Sequence, residues 1–392
     1  MKSTIPEMNR TYDVVVVGGG PTGSTAARIC AKSGLKTLLI EEQATFGYPV
    51  QCAGLLSQSA FSECEVSMSS VLNTVSGADI HAGEATCSFD AGKTMAYVVD
   101  RGALDQEMGL AAADAGAEIQ LKSIAYDISR ISQTVSLKGI SGSEDVRYSM
   151  LIAADGPRSG ISRKLGIPRA RYYLSGLQCD VFHSVSLDHV QIYPNAAPDF
   201  FGWMIPIHPD RTRIGLCGIH QVKERFSEFI RPFSKQILHF VSGTIPLGPP
   251  SRTYDNRILI AGDAAAMAKP TSGGGVYTGV RSARHAAETA IRSIETDDFS
   301  PASMALYEQA WKADFGHEIL RGLRFFQIRQ KISEKEMEKL IRILAHPDIK
   351  QIITNKGDMD RPSALIKALL TNPHMIPAYS IIGKGLLSSI YT

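Results

Sequence analysis

The sequence is short of the features that mark several large protein classes. Its 392 residues hold six cysteines (Cys30, Cys52, Cys64, Cys87, Cys179 and Cys217), and no two stand in a CxxC spacing. That usage argues against a zinc ribbon and a disulfide framework, predicts no metal site, and fits a reducing cytoplasm. Neither sign of charge dominates: 41 Lys and Arg against 39 Asp and Glu leave +2, too little for a nucleic-acid surface. No uncharged apolar run reaches the roughly 18 residues of a spanning helix. The opening MKSTIPEMNRTYD has no apolar core and is not a signal peptide. Internal repeats and low-complexity stretches are missing. These absences predict a soluble cytoplasmic protein, at most peripheral at the inner face of a membrane.

What the chain does contain begins with an apolar run, YDVVVV at residues 12–17, which ends in glycines. It reads as a buried parallel strand. Small, helix-compatible residues follow at 21–34, then a second strand at 36–40, giving a βαβ start. Short alternating pieces between 75 and 99 predict antiparallel strands. A helix at about 101–115 and a β-rich stretch to 154 come next. Residues 173–219 alternate again with Pro and Gly punctuation, as in an antiparallel sheet. RILIAGDAAA at 257–266 reads as a strand running into a helix, and from about 300 the pattern is helical, interrupted at Pro347, Pro362, Pro373 and Pro377.

Within VVVVGGGPTGSTAA, Gly18, Gly20 and Gly23 satisfy GxGxxG. The first allows a tight turn, the second lets a pyrophosphate approach the backbone, and the third lets helix and strand pack closely. The helix N-terminus behind them offers free N–H groups and a positive dipole end. Glu41, at the end of the second strand, is placed to accept from ribose hydroxyls. No second fingerprint exists for a nicotinamide nucleotide, so the electron donor is not announced.

RILIAGDAAAMAKPTSGGGVYTGVRSA at 257–283 resembles the second FAD motif of the p-hydroxybenzoate hydroxylase-like flavoproteins. The resemblance implies that Asp263 binds the ribityl chain and that Gly273, Gly274 and Gly275 lie against the isoalloxazine. LIAADGPRSGISRKLG at 151–166 resembles the Asp-Gly motif of the same proteins, in which Asp155 supports the other two elements. VVDRGALDQEM also matches, with Arg101 opening a helix beside the cofactor. Together they imply FAD.

APDFFGWMIPIHPDRTRIGL at 197–216 narrows the class. Phe201, Trp203 and Pro206 resemble the aromatic-x-Trp-x-aliphatic-Pro motif of the geranylgeranyl reductase family, whose members saturate isoprenoid chains of archaeal lipids or chlorophylls. PVQCAGLLS matches that family's early loop at Cys52, followed by Ala53 and Gly54. Phe201 departs from the pattern, since the family often has Tyr there. The resemblance spans about residues 10–300.

It implies an α/β, glutathione reductase-like FAD-binding fold with a Rossmann-type parallel sheet. An antiparallel substrate sheet and a helical C-terminal region complete it. Residues 1–70, 96–170 and 250–300 would form a discontinuous FAD-binding domain, with 71–95 and 171–249 as the substrate-binding sheet and 301–392 as the helical region. The implied catalytic residues are Cys52, Trp203 and Phe201, with Cys52 orienting the alkene or relaying a proton at the mouth of a lipid cavity. Phe200, Phe201, Trp203, Ile205 and the C-terminal helices would line it. The implied partners are a prenyl-lipid substrate and an electron donor: ferredoxin, a deazaflavin, a quinol or NADPH. RGLRFFQIRQKISEKEMEKLIRIL at 321–344 is basic and amphipathic, as expected of a helix resting on an anionic membrane or of an ordinary solvated face. An aromatic monooxygenase, a halogenase (FGWMIP approaches a Trp-x-Trp-x-Ile-Pro signature, although Lys93 makes a poor catalytic lysine) and a non-enzymatic electron carrier remain as alternatives.

Overall fold

A computed structural model describes residues 10–390. The first strand, Arg10–Val17, carries the continuous valines; Val14, Val15 and Val16 are wholly buried, as both faces of this sheet are covered. It lies between Gly142–Ala153 and Thr37–Ile40, parallel to both. Ile258–Ile260 and Glu118–Gln120 extend the parallel set on either side. Because the first strand has neighbours reached by opposite windings, the crevice at its carboxyl end is a topological switch point, where α/β sheets bind ligands. An antiparallel arm, Ile124–Ser129 with Thr134–Gly139, continues from Gly142–Ala153.

Helix Pro21–Lys32 covers one face of this sheet and packs against helix Val276–Glu295. Small residues permit the approach: a Cβ on Gly279 would lie 2.5 Å from Thr22 Oγ1.

A second sheet has seven strands, in the order Ile237–Leu247, Tyr172–Phe182, Arg211–Gly218, Phe201–His208, His189–Tyr193, Gly77–Ala82, Ala85–Asp90. It is antiparallel except where His189–Tyr193 runs parallel to Gly77–Ala82. Val71–Val75 does not join it; with Ala96–Val99 and Leu55–Ser57 it forms a separate three-stranded sheet.

Two expected elements differ. After Ile258–Ile260 the chain does not enter a helix directly: a short 3₁₀ turn, Gly262–Ala265, intervenes and the helix begins at Val276. Left-handed backbone at Gly262 (φ 62°) and Ala266 (φ 56°) breaks the continuation. The amphipathic run 321–344 is split between helices His317–Arg329 and Glu334–Leu344, where Ser333 and Glu336 form a capping box. Its apolar face is occupied: Leu323 and Phe326 belong to the main core, while Met337 and Ile341 pack on Ala82, Ala85 and Cys87. The four C-terminal prolines mark helix beginnings, where the missing N–H costs nothing: Pro347 opens Pro347–Lys356, Pro362 caps Ser363–Leu370, Pro373 opens a 3₁₀ turn and Pro377 is second in Ile376–Ile390. Among the described residues no helix is long and apolar enough to cross a membrane.

Candidate active site

The glycine turn behaves as its spacing requires. Gly18 has φ +103°, and a Cβ there would sit 2.2 Å from Ala154 O; one on Gly23 would sit 1.8 Å from Gly18 O. These two glycines lock the strand, the turn and the helix together behind the crevice. Gly20 differs, since nothing lies within 4 Å of where its Cβ would be. It caps the helix without a side-chain hydrogen bond, so the first N–H groups face open space beside it. Glu41 Oε2 accepts from Gly19 N–H at 2.6 Å and Oε1 from Gln43 N–H at 2.8 Å. Its carboxylate is therefore fixed at the crevice edge, with lone pairs left for a further donor.

Asp155, expected among the cofactor-binding residues as a support for the other two elements, braces its own loop. Its oxygens accept from Ser159 Oγ at 2.6 Å and Ile161 N–H at 3.1 Å. It thereby ties the short helix Gly160–Lys164 to its loop. The neighbours Gly156 and Pro157, rather than Asp155, line the cavity.

Arg101 begins helix Arg101–Asp114, whose N-cap Asp100 accepts from Gly102 and Ala103 N–H. Its guanidinium donates to Asp105 from Nη2 and Nε at 2.8–3.1 Å, with each side chain 10% exposed. Burial alone would lower the pKa of Arg101; Asp105, assisted by Cys52, raises it instead. Gly54 N–H donates to the Cys52 thiol at 3.4 Å.

That thiol is the one cysteine of the six that is not fully buried. Its loop turns through Gly47 (φ 76°) and Gly54 (φ 75°), with a cis peptide at Tyr48–Pro49. The seven-stranded sheet pins the loop from below: Gln178 Nε2 donates to Cys52 O at 2.9 Å, and Arg213 Nη1 to Ala53 O at 2.8 Å. Arg213 is itself oriented by Asp180 at 2.7 and 3.0 Å. No pattern near residue 52 indicates these partners.

Asp263 lies in the turn before the second glycine run. Its Oδ1 is buried with no hydrogen-bond partner, and desolvation pushes its carboxyl up to about 6 although Arg101 pulls the other way. A Cβ on Gly275 would be 2.8 Å from that oxygen. Gly273 turns with φ +72° against Ile245 and Phe200, and Gly275 caps helix Val276–Glu295. Beside Gly274 stands a group that the motif did not announce. Lys269 Nζ donates to Met359 O at 2.9 Å and pairs with the buried Asp360, whose other oxygen accepts from Ser57 Oγ.

Phe201 and Trp203 alternate along Phe201–His208, both half-buried. Phe201 stacks on Phe200 at 4.4 Å and meets Trp203 edge-on at 6.1 Å. Across the strand pair, Trp203 faces Gly215, where a Cβ would strike the indole at 2.2 Å. The glycine makes the room that the ring occupies.

One cavity of about 770 Å³ joins these groups. Gly20 and Glu41 line one part; Cys52, Arg101, Asp263 and Gly273–Gly275 line the middle; Phe201, Trp203 and Ile205 line another. Gly18, Gly23 and Asp155 stand behind the wall. The C-terminal helices contribute Ile353, Thr354, Leu365 and the turn 357–360. The open backbone at Gly20 and the unpartnered Asp263 oxygen fit FAD, whose pyrophosphate needs free N–H groups and whose ribityl hydroxyls need an acceptor.

Comparison with known proteins agrees with this geometry. Residues 13–60 match the family model of FAD dependent oxidoreductases. The chain is 32% identical over 363 residues to a digeranylgeranylglycerophospholipid reductase of Thermoplasma acidophilum, covering 86% of this chain and 92% of that one. It is 30% identical over 367 residues to digeranylgeranylglycerophospholipid reductase 2 of Methanothermobacter thermautotrophicus, covering 87% and 94%. The crystal structure of a geranylgeranyl bacteriochlorophyll reductase-like protein from T. acidophilum superposes with a TM-score of 0.85 at 29% identity, over 95% of this chain and 99% of that one. A p-nitrophenol 4-monooxygenase from Pseudomonas putida shares the fold alone, at 17% identity and a TM-score of 0.72 over 89% and 98%. The chain is an FAD-dependent oxidoreductase and belongs to the digeranylgeranylglycerophospholipid reductase family.

Proposed function

We propose that this protein saturates the C=C bonds of geranylgeranyl chains carried by membrane-lipid precursors of the archaeal type. The observation that carries the reading is the single cavity running from the unpartnered Asp263 oxygen, past Cys52, to the aromatic strand at Trp203. When bound and reduced, FAD supplies the hydride that, with one proton, saturates a double bond. Isolated prenyl double bonds are not polarised, so positioning and exclusion of water fall to the chain. Phe201, Trp203 and Ile205 give an apolar wall, and each methylene buried there contributes about 0.8 kcal/mol. A long chain can therefore be held with few polar contacts. Cys52, presented by a loop anchored through Gln178 and Arg213, stands where it can orient the alkene or relay the proton.

Electrons must come from a separate donor, since the chain carries one dinucleotide fingerprint. Ferredoxin, a deazaflavin, a quinol and NADPH are the candidates, and reconstitution with each separates them. Contact with a membrane surface also belongs to this reading. Helices 317–344 offer less for it, because Leu323, Phe326, Met337 and Ile341 are packed inside and Leu320 is left as an isolated exposed apolar side chain. The edge strand Ile237–Leu247 is better suited: Ile237, Leu238 and Phe240 are exposed, with Phe240 against Phe226 on one face, while Val241 and Gly243 of the same strand line the cavity. A prenyl tail could pass along it from a bilayer.

The test is co-expression with an archaeal prenyl-lipid pathway, followed by mass spectrometry of the lipids. Mass gains in steps of about two units, one H₂ per double bond, are expected. Hydroxylated or halogenated products would replace this reading with a monooxygenase or halogenase.

A further inference from the structure

Away from the cavity, His346, Asp348 and His374 come together so that one donor atom of each lies within 4.8 Å of the other two. The expectation of no metal site came from cysteine spacing; these ligands belong to two separate segments and meet only on folding. We propose that the three residues bind a divalent transition-metal ion, with zinc preferred, that clamps the C-terminal helices.

The donor geometry is already close. His374 Nε2 stands 3.2 Å from Asp348 Oδ2. Two ligands of a tetrahedral zinc ion, each bound at about 2.0–2.1 Å, lie roughly 3.3 Å apart. The His346 and His374 rings stack with centroids 3.6 Å apart and planes at 22°, so their edges run side by side. Because an imidazole lone pair lies in its ring plane, binding requires the two rings to unstack by rotating about their side-chain torsions, which their place at the surface allows.

The backbone beneath is fixed. His346 caps helix Pro347–Lys356, its Nδ1 accepting from Asp348 N–H at a long 3.3 Å; the ring's other nitrogen is untouched by that bond. Asn372 Oδ1 accepts from His374 N–H at 2.9 Å. Ile349, Met375 and Ala378 form a small core that joins the two segments. Two imidazoles and one carboxylate suit zinc, nickel or cobalt better than magnesium or calcium, and water completes the shell. The helix so clamped carries Ile353 and Thr354 into the cavity wall, so the ion would steady that wall from outside.

The test titrates zinc chloride into metal-stripped, FAD-loaded full chain by calorimetry. One equivalent is expected at micromolar affinity or tighter, with binding weakened at least tenfold in each of His346→Ala, His374→Ala and Asp348→Asn. Hydrogen exchange over residues 347–383 is expected to slow on adding zinc to the parent and not to the variants. The side chains of Asp348 and His374 are well exposed, so these variants should fold. No binding, unchanged affinity in the variants, or equal binding of magnesium would overturn the proposal.

Discussion

Lys269 and Asp360 form an ion pair inside the cavity wall, their side chains 10% and 2% exposed. The pair joins the glycine loop to the C-terminal helices, and Ser57 ties in the small sheet through the same carboxylate. Removing one partner leaves an uncompensated buried charge, which costs about 3–5 kcal/mol. Asp360→Ala should therefore lower the melting temperature sharply, while the double variant Lys269→Met with Asp360→Leu should recover most of the loss. Thermal denaturation of the parent and these two variants makes the comparison; a double variant that melts no higher than Asp360→Ala would remove the pair from this role.

Asp263 sets a pH dependence. Its folded-state pKa of about 6 lies above the ordinary 3.8, so between those values the folded protein holds a proton that the unfolded chain has lost. Without cofactor, stability should fall as pH rises from about 4 to about 6 and then level, by about 3 kcal/mol. A hydroxyl donor on FAD favours the carboxylate. FAD affinity should accordingly rise with pH through the same window, with proton release on binding. Calorimetry in buffers of different ionisation enthalpy measures that release, and Asp263→Asn should abolish it.

Gly20 and Gly23 separate binding from folding. Gly23→Ala drives a methyl group into Gly18 O, and overpacking of this kind costs about 1–3 kcal/mol or more. Gly20→Ala meets nothing in the protein, so it should melt like the parent yet bind FAD more weakly. Flavin fluorescence titration beside a melting curve distinguishes the two.

Cys52→Ala should retain FAD and lower turnover by about 10- to 100-fold, the scale on which a misplaced reactant loses rate. Gln178→Leu frees the loop from its carbonyl anchor and should do the same with the thiol intact. Stopped-flow measurement of reoxidation by substrate reports both, and an unchanged rate in Cys52→Ala would take the thiol out of the chemistry.

Contact with lipid at Leu238 and Phe240 predicts binding to vesicles of anionic phospholipid. Paired Leu238→Asp and Phe240→Asp substitutions should abolish co-sedimentation at low salt, while changes on the outward polar face of Glu334–Leu344 should not. Loss from the second set alone would return the contact to the helices.

The FAD-binding half of the site was legible because its requirements are local. Gly18 must take a positive φ and Gly23 must lack a Cβ, so both are visible within a few residues, while Asp263 is marked by the resemblance of its segment to the second FAD motif. The Asp-Gly motif marks its loop as a whole, and folding turns the Asp155 carboxylate inward to Ser159 and Ile161. The run 321–344 leaves two readings open, because a helical period shows that an apolar face will be buried without showing against what.

The sequence by itself determined the cofactor turn, the order of strands and helices around it, and the residues Cys52, Phe201 and Trp203 that face the cavity. The turn follows from backbone sterics and the order of elements from apolar period over short windows, whereas those three residues are marked by the family resemblance. Tertiary structure alone decided that Gln178 holds the Cys52 carbonyl across 126 positions, that Gly215 makes room for Trp203, and that Asp360 neutralises Lys269. Those partners are brought together by sheet register and helix packing, and contacts between distant segments leave no local signal in the chain.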